Sequence, residues 1–155
     1  MTKMEVKENK KLVLKQVLIK QLKNIQLDQI DEEVTKFTNQ MQLLKVQTFG
    51  PLITKTSGTN FHEDGKITMD YELMVQAHDY KQYKKTFHTS ERFECSNCVY
   101  LRYEGAPENI HYATSKLDLY FFENELASDG STINVHVSES TDRIVVDIFK
   151  PVLEL

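Results

Sequence analysis

The sequence predicts an α+β fold in which a β-α-β-β unit occurs twice, with a mainly antiparallel sheet, two helices on one face and a cleft between the halves. Three observations carry this expectation. Two apolar stripes with helical spacing, Ile30-Val34-Phe37-Met41 and Ile110-Ala113-Leu117-Phe121, coincide at one offset in Ile30 with Ile110, Phe37 with Leu117 and Met41 with Phe121, and Gly50 and Gly130 follow at the same offset. Each is followed by an alternating segment, Ile67-Thr68-Met69-Asp70-Tyr71 in one case and Ile144-Val145-Val146-Asp147-Ile148 in the other. The remaining periodic stretches are strand-like and separated by turn residues. A duplicated unit sets two similar halves against each other, and their seam is a natural ligand cleft.

Taken in order, residues 11–22 have apolar side chains on both faces and no helical stop signal, which fits a long strand, with a helix as the alternative. Residues 24–29 turn the chain. A helix follows over 29–46, with Asp31, Glu32 and Glu33 in its first turn opposing the dipole. Phe49-Gly50-Pro51 stops it, because glycine accepts a left-handed cap and proline cannot extend the ladder. Residues 52–56 form a strand, 57–65 a hairpin loop, 66–77 a strongly alternating strand and 78–85 a polar connection. A further strand over 86–93 leads into a turn at Cys95 and Cys98. The second half repeats this order: strand 99–103, a break at Gly105-Ala106-Pro107, helix 108–126, an end at Ser128-Asp129-Gly130, then strands 133–137 and 143–149. The whole chain, 1–155, is thus one domain, with half one at about 11–85 and half two at about 94–152.

Bulk properties narrow the function classes. A chain of 155 residues with 40% hydrophobic content can bury a core without a disulfide or metal. A net charge of −4 disfavours a nucleic-acid partner, which needs concentrated basic surface. No apolar run reaches the ~20 residues of a membrane span, and the charged N-terminus carries no secretory signal. A cytoplasmic location is expected, with the chain a monomer or homodimer. His62, His78, His88 and His111 show no metal-ligand spacing, and Cys95-x-x-Cys98 stands alone, so neither a metal nor a cofactor is expected. No nucleophile elbow or phosphate-cradling glycine loop is present, so no catalytic residue is assigned.

Alternation sorts the strand residues by face. On the last strand Ile144, Val146 and Ile148 share one face, and Asp147 and Phe149 the other. If the helices cover the first face, Asp147 and Phe149 look the opposite way. Strand 99–103 is expected to send Tyr100 and Arg102 to that second face. Strand 133–137 is expected to keep Ile133, Val135 and Val137 under the helix and to send Asn134 and His136 there. The repeat adds Thr68, Asp70 and Glu72 in half one, with Tyr71 as a further wall. Carboxylates among aromatic walls suit a flat organic cation, through ring quadrupoles worth ~0.5–2 kcal/mol and a partly desolvated counter-charge. The alternative for the same residues is a solvated sheet face with cross-strand charge pairs.

The second half, with Val99-Tyr100-Leu101-Arg102-Tyr103-Glu104-Gly105, its helix and the closing Asp147-Ile148-Phe149-Lys150-Pro151, resembles the GyrI-like small-molecule-binding domain. That family includes the effector-binding halves of multidrug-responsive regulators. The resemblance covers 99–152 well and the first half by element order only. It implies two β-α-β-β units about a pseudo-twofold axis, and bulky aromatic cations held by aromatic walls and an acidic group near the chain end. Asp147 matches that acidic position, where many relatives carry the longer Glu, and tryptophan, a common wall residue, is absent. Nothing before Leu12 fits a helix-turn-helix, so a standalone member is expected. The leading expectation is a cytosolic binder of bulky hydrophobic, cationic small molecules, using Asp147, Phe149, His136, Tyr100, Tyr71, Asp70 and Glu72. The alternatives are a hydrolase of reactive electrophiles on the same fold, with Asp70, Glu72 and Asp147 activating water, and a protein-inhibitor or interaction module.

Overall fold

The computed structural model describes residues 4–153. In chain order the elements are β1 (Val6–Gln26), α1 (Ile30–Leu43), β2 (Thr48–Phe61), β3 (Ile67–Ala77), β4 (His88–Gly105), α2 (His111–Glu123), β5 (Thr132–Glu139) and β6 (Ile144–Pro151). The β-α-β-β order therefore occurs twice. Every strand pair is antiparallel, and the order β1-β3-β2-β5-β6-β4 closes on itself as a barrel. The two halves meet twice. The β1/β4 joint has ten register pairs, and the β2/β5 joint only four, Ile53 to Thr56 against Thr132 to Val135.

Each helix lays its apolar stripe on the outside of its own three strands. Phe37 and Met41 of α1 pack with Leu18, Leu73, Val75 and Ala77, and Ala113, Leu117 and Phe121 of α2 pack with Val99, Leu101, Tyr103, Val146 and Ile148. The opposite strand faces converge on a third cluster: Leu12, Leu14, Val17, Ile19, Ile53, Met74 and Ile133, flanked by Phe93, Cys95, Val135 and Phe149. The seam between the halves is thus the barrel interior, filled over much of its length by aliphatic side chains from both.

The duplication extends to backbone detail. Both helices end in a Schellman motif: Val46 N–H donates to Met41 C=O and Leu126 N–H to Phe121 C=O, with Lys45 (φ 56°) and Glu125 (φ 55°) in the left-handed position. Val46 and Leu126 also pack beside those carbonyl-bearing residues in their respective clusters. The helix caps therefore precede the glycines the sequence suggested. Gly50 and Gly130 instead take positive φ (75° and 88°) where the chain enters the following strand.

Three strands differ from expectation for one reason, the β-bulge. β1 runs 21 residues because bulges at Asn9 (φ 57°) and Asn24 (φ 54°), where its register shifts, absorb the twist of a strand shared by both halves. β2 continues through Gly50-Pro51, where a register shift between Phe49 and Ile53 accommodates a residue with no N–H to donate. It also runs on to Phe61, so the hairpin loop is shorter than expected. The segments at 86–93 and 99–103 are one strand, β4, and Cys95 to Cys98 lies inside it as a bulge at Asn97 (φ 58°), not as a turn.

Candidate functional site

Residues directly opposite one another in paired strands share a face, so register decides what meets inside the barrel. Ile133, Phe149 and Tyr100 form one row across β5, β6 and β4, and Val135, Asp147 and Arg102 form the next. Asp147 thereby shares a row with Val135 and Arg102, beside the apolar and aromatic row of Ile133, Phe149 and Tyr100. Its Oδ1 accepts from Tyr100 Oη at 2.7 Å and from Arg102 Nε at 2.7 Å, and its Oδ2 accepts from Arg102 Nη2 at 3.0 Å. The Tyr100 ring lies against Phe149, with centroids 5.1 Å apart and planes at 47°. The two partners differ in access: the Asp147 side chain is 15% exposed, the Arg102 side chain 47%.

The electrostatics follow from that geometry. Burial pushes the Asp147 carboxyl up, but the hydrogen bonds from Arg102 and Tyr100 and the guanidinium charge outweigh it and hold the group below the usual carboxylate range. Tyr100 is pushed up by burial and by donating to Asp147, so it remains a phenol donor. Sequence reasoning placed Arg102 on this face but did not make it the partner of Asp147. The available signal was its spacing of two residues from Tyr100, which aims both side chains the same way.

The half-one carboxylates have other uses. Asp70 and Glu72 share the face of Met74, toward the interior. Asp70 accepts the backbone N–H of Asn24 at 3.1 Å and so caps a left-handed bulge of β1, while Glu72 stands opposite Lys55 and Gln21.

Tyr71 and His136 lie on the outer side of the barrel. Tyr71 packs with the α1 cluster, and His136 shares the face of Val146. The expected facing of β5 is thus reversed: Ile133 and Val135 point inward, and Asn134 and His136 outward. Alternation was read correctly, but pairing to β6 puts Ile133 opposite Phe149, and that register determines the sense. His136 Nε2 lies 3.0 Å from Thr54 Oγ1 and Nδ1 3.2 Å from Glu139. Burial lowers the His136 pKa, with the Glu139 carboxylate opposing. These residues line a groove of about 610 Å³ beside α1, together with Val34, Leu52, Tyr71 and the carboxylate Asp31. The predicted set therefore divides between two places, Asp147, Phe149 and Tyr100 within and Tyr71 and His136 without.

Among the described residues no group of three or more His, Cys, Asp or Glu side chains is placed to hold a metal ion, and no helix is long and apolar enough to cross a membrane. No protein-family model matches the sequence, and no curated protein matches it. Solved structures do share the fold. The EcmrR C-terminal domain is similar with a TM-score of 0.67 at 12% identity, over 99% of this chain and 98% of that one. SAV2435 bound to tetraphenylphosphonium is similar with a TM-score of 0.51 at 11% identity, over 98% and 94%. A hydrolase from Listeria innocua is similar with a TM-score of 0.54 at 12% identity, over 97% and 92%.

Proposed function

We propose that this fold serves as a binding domain for bulky, hydrophobic, cationic small molecules, in the manner of a GyrI-like effector-binding domain, with Asp147 as the counter-charge. One observation carries the reading: the site already holds a flat organic cation. The guanidinium of Arg102 is planar and delocalised, and it lies on a largely buried carboxylate beside Tyr100 and Phe149. Because Arg102 is half exposed, its head can return to water at modest cost. An incoming delocalised cation would take its place, with Tyr100 still donating to Asp147. The four-pair β2/β5 joint is the shorter of the two seams between halves and the natural way in, since fewer ladder bonds yield there. Tetraphenylphosphonium, bound by the similar SAV2435, is a ligand of this chemistry.

The test is a titration of tetraphenylphosphonium by calorimetry into the wild type, Asp147→Asn and Arg102→Ala. Removing the internal competitor in Arg102→Ala should tighten binding several-fold, and Asp147→Asn should weaken it at least tenfold. Equal binding by all three, or no saturable heat, refutes the reading. The outer groove is the second reading, favoured by its two carboxylates, Asp31 and Glu139, on a lining with no lysine or arginine. Loss of binding in Tyr71→Ala with Asp147→Asn unaffected would move the site there.

A further inference from the structure

In a regular strand residues three apart point to opposite faces, so the two cysteines of β4 should not meet. The bulge at Asn97 changes that. From Lys10 to Leu12 β1 advances two residues while β4 passes from Cys98 to Cys95, three residues, and Asn97 at φ 58° absorbs the extra one. Cys95 and Cys98 consequently face the barrel interior together. Their sulfurs are 3.4 Å apart, with the Cys98 thiol placed to donate to the Cys95 sulfur and lying 3.6 Å from its carbonyl. They are the chain's only cysteines and both are free.

Their environments differ in a way that assigns an order of reaction. Cys95 is partly exposed and Cys98 fully buried. Burial, with the neighbouring Cys95 and Asp129, pushes the Cys98 thiol up to about 12, so it holds its proton and serves as donor to its partner. Cys95 is the sulfur that solution reagents reach first.

We propose that Cys95 and Cys98 are a redox-active dithiol, oxidised to an intramolecular disulfide by exchange with a low-molecular-weight disulfide such as glutathione disulfide. Cys95 loses its proton to water and its thiolate attacks one sulfur of the oxidant, forming a mixed disulfide and releasing one glutathione thiolate. Cys98 then gives its proton to the glutathione thiolate released in the first step and attacks the Cys95 sulfur. The Cys95–Cys98 bond forms, the mixed disulfide breaks and the second glutathione leaves. Two protein thiols are oxidised by two electrons as one glutathione disulfide becomes two glutathiones. The sulfurs must close by about 1.4 Å, from 3.4 Å to the ~2.05 Å of a disulfide.

The experiment treats the full chain with excess glutathione disulfide, blocks remaining thiols with N-ethylmaleimide and reads the intact mass. The expected product is a monomer lacking two hydrogens and carrying neither glutathione nor maleimide, restored to two alkylatable thiols by dithiothreitol. Cys98→Ala should accumulate a stable glutathione adduct at Cys95, whereas Cys95→Ser should stay free of glutathione under the same exposure. Wild-type protein that retains two alkylatable thiols, stops at a glutathione adduct or forms disulfide-linked dimers overturns the proposal. The wild-type result decides even if a variant folds poorly.

Discussion

Replacing Arg102 with Met keeps much of the side-chain volume and removes the guanidinium, leaving Asp147 with Tyr100 as its partner. Two hydrogen bonds to a carboxylate of 15% exposure are lost, at 2.7 and 3.0 Å. A buried charged bond is worth ~1.5–3 kcal/mol, but Arg102 is half exposed and much of its interaction is exchanged with water, so the expected destabilisation at pH 7 is about 1–2 kcal/mol. With a urea slope of roughly 2 kcal/mol per molar for a chain of this size, the unfolding midpoint should fall by ~0.5–1 M. The pH dependence is the sharper test. In the wild type the folded pKa of Asp147 lies below its ordinary value, so its contribution is present above that ordinary value, ~3.9, and is lost as pH falls through the folded value. In Arg102→Met, burial outlives the charge that opposed it, so acidification relieves a carboxylate that has lost its counter-charge. The gap between the two proteins should narrow between pH 7 and pH 4.5. Midpoints that coincide at pH 7, or a gap that stays constant on acidification, would refute the assignment of Arg102 as the group holding Asp147 ionised.

Other expectations follow from the same structure. Lys45→Gly and Glu125→Gly, each relieving a left-handed residue at a helix end, should raise stability by about 0.5–1 kcal/mol apiece and nearly additively, read as urea midpoints of single and double variants. Phe37→Ala, at a fully buried ring packed edge-on to Phe87, should cost about 3–5 kcal/mol, whereas Phe122→Ala, 81% exposed, should change the midpoint by less than ~0.5 kcal/mol. His136, whose folded pKa is depressed by burial, should make stability fall as pH drops through ~6.5 toward its folded value, because the unfolded chain binds the proton more readily. His136→Gln should flatten that part of the profile between pH 7.5 and 5.5, and an unchanged slope would remove His136 as its source.

What was legible in the sequence was whatever is decided within a turn or a strand. Phe37 and Met41, and Leu117 and Phe121, mark the buried stripes of α1 and α2 because helical periodicity is local. The opposition of Val146 and Ile148 to Asp147 and Phe149 on β6 is likewise dictated by alternation along one strand, and the matched segments of the two halves revealed the β-α-β-β repeat. Pairing across the chain was beyond it. Alternation in β5 separated Ile133 and Val135 from Asn134 and His136, but only the register with β6 decided which pair turned inward. Nothing local foretold that one extra residue at Asn97 would turn Cys95 and Cys98 to the same face. Likewise, Arg102 becomes the partner of Asp147 only when β4 lies beside β6 in one particular register. By itself the sequence determined the two helices, the duplicated β-α-β-β order and the two faces of a regular strand such as β6. The tertiary structure decided which face is inside and which charges meet there, because those depend on contacts between residues far apart in the chain.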